Sequence, residues 1–210
     1  MNLYKLLAAR AEEGRPVRVG LIGAGKFGSM FLAQARKTLG IHLLGIADLD
    51  VERARAACAR TGWTAEQIGV GSFPGALESG GTFLTDSADD LIEADGLDVL
   101  IEATGDPVVG IDHCLKCIDR GRHLIMVNVE ADVVAGPLLA RRAEQAGLVY
   151  LRHHLYRFWR RILYLHLPGR HDFSGYRDAG IHHLNCHDDV WYRHYYWELG
   201  MWKAGRQITG

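Results

Sequence analysis

The sequence predicts an α/β fold: a doubly wound parallel sheet, preceded by one helix and followed by an atypical C-terminal tail. Three observations predict it. Short apolar runs alternate with helical segments from residue 17 to about residue 150. Three glycines, Gly23, Gly25 and Gly28, fall between the first apolar run and the first long helical segment. The second apolar run ends on an acid, Asp48, 20 residues beyond the last of those glycines.

Residues 2–13 read as an amphipathic helix. Asn2 supplies a cap, Leu3, Leu6 and Leu7 share a face, and Gly14 with Pro16 ends it. Val17–Ile22 (VRVGLI) is a buried strand that runs into the glycines. Lys26–Thr38 has helical spacing and stops before Gly40. Ile41–Ala47 is a second apolar strand, and Asp50–Arg60 is Ala- and Arg-rich and helical. Residues 61–81 read as loop, because Gly and Pro are scattered through them.

Thr82–Leu84 reads as a short strand and Ser87–Glu93 as one or two helical turns. Leu97–Ala103 is a strand, Val108–Asp119 a helix closed by Gly121, and His123–Val129 a strand. Pro137–Ala146 reads as a helix stopped by Gly147, and Leu148–Tyr150 begins a further strand. Repeated βα units of this length need a parallel sheet covered on both faces.

Composition narrows the function classes. The chain has 210 residues, 48% hydrophobic and 23% charged, with a formal net charge of −1. That balance gives no global field toward nucleic acid or an anionic membrane. No apolar stretch is long enough to span a bilayer, and the first residues lack a signal-peptide pattern, so a cytoplasmic location is expected. The averages hide a break. Residues 1–150 carry 15 Lys+Arg against 20 Asp+Glu, and residues 151–210 carry 9 against 5. The tail also holds 8 of the 11 His and 4 of the 5 Trp. The chain therefore divides into an N-terminal helix (1–14), an α/β domain (15–150) and a His- and aromatic-rich tail (151–210).

The glycine string has a chemistry. In GAGKFG, Gly23 allows a tight turn, Gly25 lets the backbone approach a pyrophosphate, and Gly28 lets helix and strand pack closely. The helix that follows presents amides and a partial positive charge to phosphate. Asp48 stands where an acid accepts the adenosine ribose hydroxyls. These are the marks of a Rossmann domain, and the cofactor they call for is NAD or NADP. An acid at Asp48 favours NAD, while Arg53 in the next helix is within reach of a 2′-phosphate. GLIGAGK also matches the start of a nucleoside-triphosphate loop, but Phe27 follows where Ser or Thr is required, and Gly20 lies inside the strand. In a doubly wound sheet, ligands lie beyond the carboxyl ends of the strands. Thr104, at the end of the fourth strand, and Asn128, at the end of the fifth, are thereby placed beside the cofactor.

The strings GLIGAGKFGSMFL, GIADLD, IEATGDP and MVNVEADVVAGPLLARRAEQAG resemble the N-terminal domain of homoserine-dehydrogenase-like oxidoreductases. The likeness is strongest to the branch that carries a SAF domain, in which one activity is similar to 1-deoxy-xylulose 5-phosphate reductoisomerase. The resemblance covers residues 1 to about 150. It implies that Gly23, Gly25, Lys26, Phe27, Gly28, Asp48, Ala103, Thr104 and Gly105 line the cofactor site. Members of the group continue past the equivalent of Tyr150 into a catalytic and dimerisation domain, which residues 151–210 do not resemble. The chain therefore reads as an oxidoreductase domain, truncated before its catalytic part, with no catalytic residue to name. The alternatives are a non-catalytic NAD(P)-binding module or remnant, and a homodimer whose partner chain completes the site. A small-molecule substrate belongs to the first reading only.

Other signals are weaker. His182, His183, Cys186 and His187 meet no recognised zinc spacing and read as tail composition, so no metal is expected. Cys114 and Cys117 form C-x-x-C in mid-helix rather than at a helix start, and read as core. Arg157, Arg160 and Arg161 among aromatics read as an extension or an amphipathic segment, not as a nucleic-acid or membrane site.

Overall fold

The computed structural model of the chain describes residues 3–152. In order they form α1 (Leu3–Glu12), β1 (Val17–Ile22), α2 (Lys26–Ala35), β2 (Ile41–Ala47), α3 (Val51–Arg60), α4 (Ala65–Ile68) and α5 (Phe73–Ser79). Then follow β3 (Phe83–Thr85), α6 (Ala88–Glu93), β4 (Val99–Glu102), α7 (Pro107–Asp119), β5 (His123–Met126), α8 (Val129–Gln145) and β6 (Tyr150–Arg152). The six strands make one sheet in the order β3-β2-β1-β4-β5-β6. Every pairing is parallel. This is the doubly wound α/β arrangement, with its strand order reversing between β1 and β4.

Strand residues are buried on both faces, as a sheet covered on two sides requires. Val17, Val19 and Leu21 of β1 pack with Ile101 and Ile125 against Phe31 and Leu32 of α2 and Ala54, Ala57 and Cys58 of α3. On the other face Leu44, Leu100, Leu124 and Met126 meet Leu91 and Ile92 of α6, Cys114 and Cys117 of α7, and Leu139 of α8. Each fully buried Leu or Ile contributes about 1.5–3 kcal/mol relative to exposure. The C-x-x-C pair is core: both thiols are free and buried, and burial is the main cause that pushes their ionisation upward.

The structure departs from the sequence reading in three places. Residues 61–81 are not all loop. Thr64 closes a capping box with Gln67 at α4, and Ser72 caps α5 with a proline in its first turn. The fifth strand stops at Met126 rather than Val129, because Asn128 caps a helix that begins there. That helix, α8, runs through Pro137 instead of starting at it. The expected Asn2 cap, the tail beyond Arg152 and its His-rich cluster lie outside the described residues. Among the described residues no helix is long and apolar enough to cross a membrane, and no group of three or more His, Cys, Asp or Glu side chains is placed to hold a metal ion.

Candidate dinucleotide site

The carboxyl ends of β1, β2, β4 and β5 share one rim of the sheet, and the loops leaving them, with the first turn of α2, carry every candidate residue. The glycine loop is built on close approach. Gly23 has φ +95°, and a Cβ there would stand 2.6 Å from the Ala103 carbonyl oxygen. A Cβ on Gly28 would stand 2.4 Å from the Gly23 carbonyl oxygen. Side chains at these two positions are excluded by the backbone itself. Gly25 is different. It is exposed, and a Cβ there would meet nothing within 4 Å. Its bareness leaves free space in front of the loop.

Gly25 also precedes α2 without any side-chain cap. The first-turn amides of a helix have no carbonyl one turn back. The loop thus presents an uncapped helix start beside an open glycine, the arrangement that favours an anion. Lys26 is exposed on the first turn, and Phe27 packs partly buried against the core below the loop.

Asp48, at the end of β2, is tied to this loop. Its Oδ2 accepts the Ala24 amide at 2.7 Å, and its Oδ1 accepts the Asp50 amide at 3.0 Å. The Arg53 guanidinium donates to the same Oδ1 at 2.5 Å. The Asp48 side chain is 1% exposed and that of Arg53 56% exposed. Arg53 therefore covers the outer oxygen, and a ribose hydroxyl reaches Asp48 only by replacing it. The sequence placed both residues at this corner but did not show that the carboxylate is engaged on both oxygens.

Ala103, Thr104 and Gly105 follow β4. Ala103 is partly buried under Gly23, while Thr104 and Gly105 are exposed at the crevice edge. Asp106, not Thr104, caps α7, with its carboxylate accepting the Val108 and Val109 amides. Asn128 is 3% exposed, and both ends of its amide are engaged. Its Oδ1 accepts the Ala131 amide at 3.0 Å, and its Nδ2 donates to the Asp106 carbonyl at 2.7 Å. It joins the starts of α7 and α8 and sets their spacing at the rim.

Two polar residues beneath this rim were not singled out by the sequence. Glu102, the last residue of β4, is 0% exposed, and His113 of α7 is also buried. His113 Nδ1 lies 3.7 Å from Glu102 Oε1. A charged residue inside the apolar string VLIE was the available signal.

No protein-family model and no curated protein matches the sequence. Solved structures do match the fold. GenD2 from gentamicin A biosynthesis, solved in complex with NAD, superposes with a TM-score of 0.50 at 16% identity, covering 65% of this chain and 34% of that one. A homoserine dehydrogenase from Thiobacillus denitrificans gives a TM-score of 0.51 at 19% identity over 65% of this chain and 29% of its own. Biliverdin reductase from Synechocystis sp. PCC 6803, in complex with biliverdin and NADP+, gives 0.50 at 18% identity over 68% and 39%. The chain thus spans little more than a third, at most, of the length of these proteins, and what the likeness shows is the fold.

Proposed function

We propose that the domain spanning residues 15–150 binds NAD(H) or NADP(H), and that it is the cofactor-holding part of an oxidoreductase of the homoserine-dehydrogenase-like group. One observation carries this reading: of the three glycines between β1 and α2, two are demanded by backbone packing and the third opens onto empty space at a helix start. A purely structural turn has no use for that third glycine. The fold neighbours solved with NAD and with NADP+ support the reading.

Within it, Gly23 and Gly28 shape the loop, and Gly25 with the start of α2 receives the pyrophosphate. Asp48 holds the loop through Ala24. Arg53 stands at the ribose end, where it yields Asp48 to a free 2′-hydroxyl or stays to meet a 2′-phosphate. Ala103, Thr104 and Gly105 line the side toward the nicotinamide, and Asn128 spaces the two helices behind them. When bound, the cofactor supplies hydride transfer to or from a small carbonyl or hydroxyl substrate.

Calorimetric titration of the purified chain with NADH and NADPH tests this directly. Gly25→Val should leave the melting temperature near that of the parent, since the side chain enters open space, and should abolish binding of both. Unchanged nucleotide affinity in a folded Gly25→Val variant would refute the assignment.

A further inference from the structure

Glu102 occupies an uncommon position. Its carboxylate lies fully buried at the end of β4, under the second turn of α7. Room for it is made by Gly110, where a Cβ would stand 2.9 Å from Oε2. Oε1 accepts twice from one residue: the Thr104 amide at 3.1 Å and the Thr104 hydroxyl at 2.5 Å. Oε2 and His113 Nδ1 are both buried and, among the described residues, have no hydrogen-bond partner. A buried acceptor left unfilled destabilises a fold, and more so when it is charged. Folds retain such a cost mainly where a site requires the group. An apolar residue here would fit a sheet end better, so stability does not explain Glu102.

What the carboxylate does geometrically is hold Thr104. That residue is exposed at the crevice edge, two positions from a fully buried anchor, and it is gripped by both backbone and side chain. Apart from that grip, the side-chain bonds on this loop lie at its far end, on Asp106: its amide donates to the Thr104 hydroxyl at 3.4 Å and its carbonyl accepts from Asn128 Nδ2 at 2.7 Å. We propose that Glu102 is a positioning residue: it fixes the Thr104–Gly105 edge of the crevice against the nicotinamide half of the dinucleotide. This rests on the cofactor reading above. The glycine loop, which leaves the neighbouring strand β1, receives the other half, and its own side-chain tie is to Asp48 rather than to Glu102.

The two halves of the ligand make the test. Affinities for NADH, or NADPH if that binds more tightly, and for ADP-ribose are measured calorimetrically on the whole chain and its variants. In Glu102→Ala, dinucleotide affinity should fall about tenfold or more, the size of a lost hydrogen bond to a charged group, while ADP-ribose stays within about twofold. Glu102→Gln keeps an acceptor for Thr104 and should restore most of the loss. Thr104→Val removes the hydroxyl at an exposed position, carries little folding risk, and should show the same split in weaker form. Equal loss for both ligands in the Glu102 variants, or no change in Thr104→Val, overturns the positioning role. If the parent chain binds ADP-ribose and dinucleotide alike with no measurable affinity, the cofactor reading itself fails, and this proposal with it.

Discussion

The carboxylate of Asp48 accepts the backbone amide of Ala24 at 2.7 Å, across 24 residues of sequence. This bond ties the end of β2 to the loop leaving β1. It turns an acid expected to face a ligand into one that also shapes the ligand's cradle. Asp48→Ala should strand the buried Ala24 amide and cost about 1–3 kcal/mol of stability. Asp48→Asn, which keeps an acceptor, should cost less. Urea midpoints of the two variants check the order; equal midpoints would show that the Ala24 bond contributes nothing.

Gly23 should be the least replaceable residue of the loop. Gly23→Ala combines a left-handed backbone with a Cβ 2.6 Å from the Ala103 carbonyl oxygen. It should destabilise by about 2 kcal/mol or more. Gly25→Ala, at φ −70° and facing open space, should cost less than about 1 kcal/mol. Thermal melts of the pair check the contrast.

If the corner at Asp48 receives the adenosine ribose, as proposed, Arg53 sets which dinucleotide is favoured. With its guanidinium on Asp48, the corner is closed to a 2′-hydroxyl and offers a cation to a 2′-phosphate. Arg53→Ala should lower NADPH affinity relative to NADH by about tenfold. Competition titrations give the ratio directly. An unchanged ratio would place the ribose elsewhere.

His42 makes stability depend on pH. Its Nε2 donates to the Gly81 carbonyl at 2.8 Å, and burial, with the nearby Arg18 charge adding to it, holds its pKa below the ordinary 6.5. The unfolded chain therefore takes up a proton before the folded one does. The contribution is fully present above pH 6.5 and is lost as the pH falls through the folded value. Melting temperatures should drop from pH 7 toward pH 5, and His42→Gln should flatten part of that slope. A parallel slope in the variant would assign the effect to other groups.

The parts of the fold legible in the sequence were those written locally. GAGKFG and the spacing to Asp48 are backbone requirements, and only a few residues satisfy them. The βα alternation is likewise carried by unbroken apolar runs. What escaped depends on partners far along the chain. Asn128 stands where a site residue is expected, yet its amide is used by Asp106 and Ala131. The start of α8 was masked by Pro137, which usually opens a helix but here lies inside one. The signal for the true start was present: an Asn cap followed by Glu130 and Asp132 in the first turn. Helices α4 and α5 have equally plain caps but are too short for periodicity to reveal. Glu102 hid because its apolar neighbours made the whole run read as core.

The central position of β1 bears on how the chain is made. Its inner neighbour on one side is β4, and the Arg18 amide bonds the Asp98 carboxylate 80 residues further on. Until that stretch has left the ribosome, one edge of VRVGLI has no partner, and its apolar faces lie open to other nascent chains. Such long-range parallel pairing folds slowly. Fragments ending before residue 99 should therefore aggregate or bind chaperones, while those reaching β5 should acquire protease resistance in a single step.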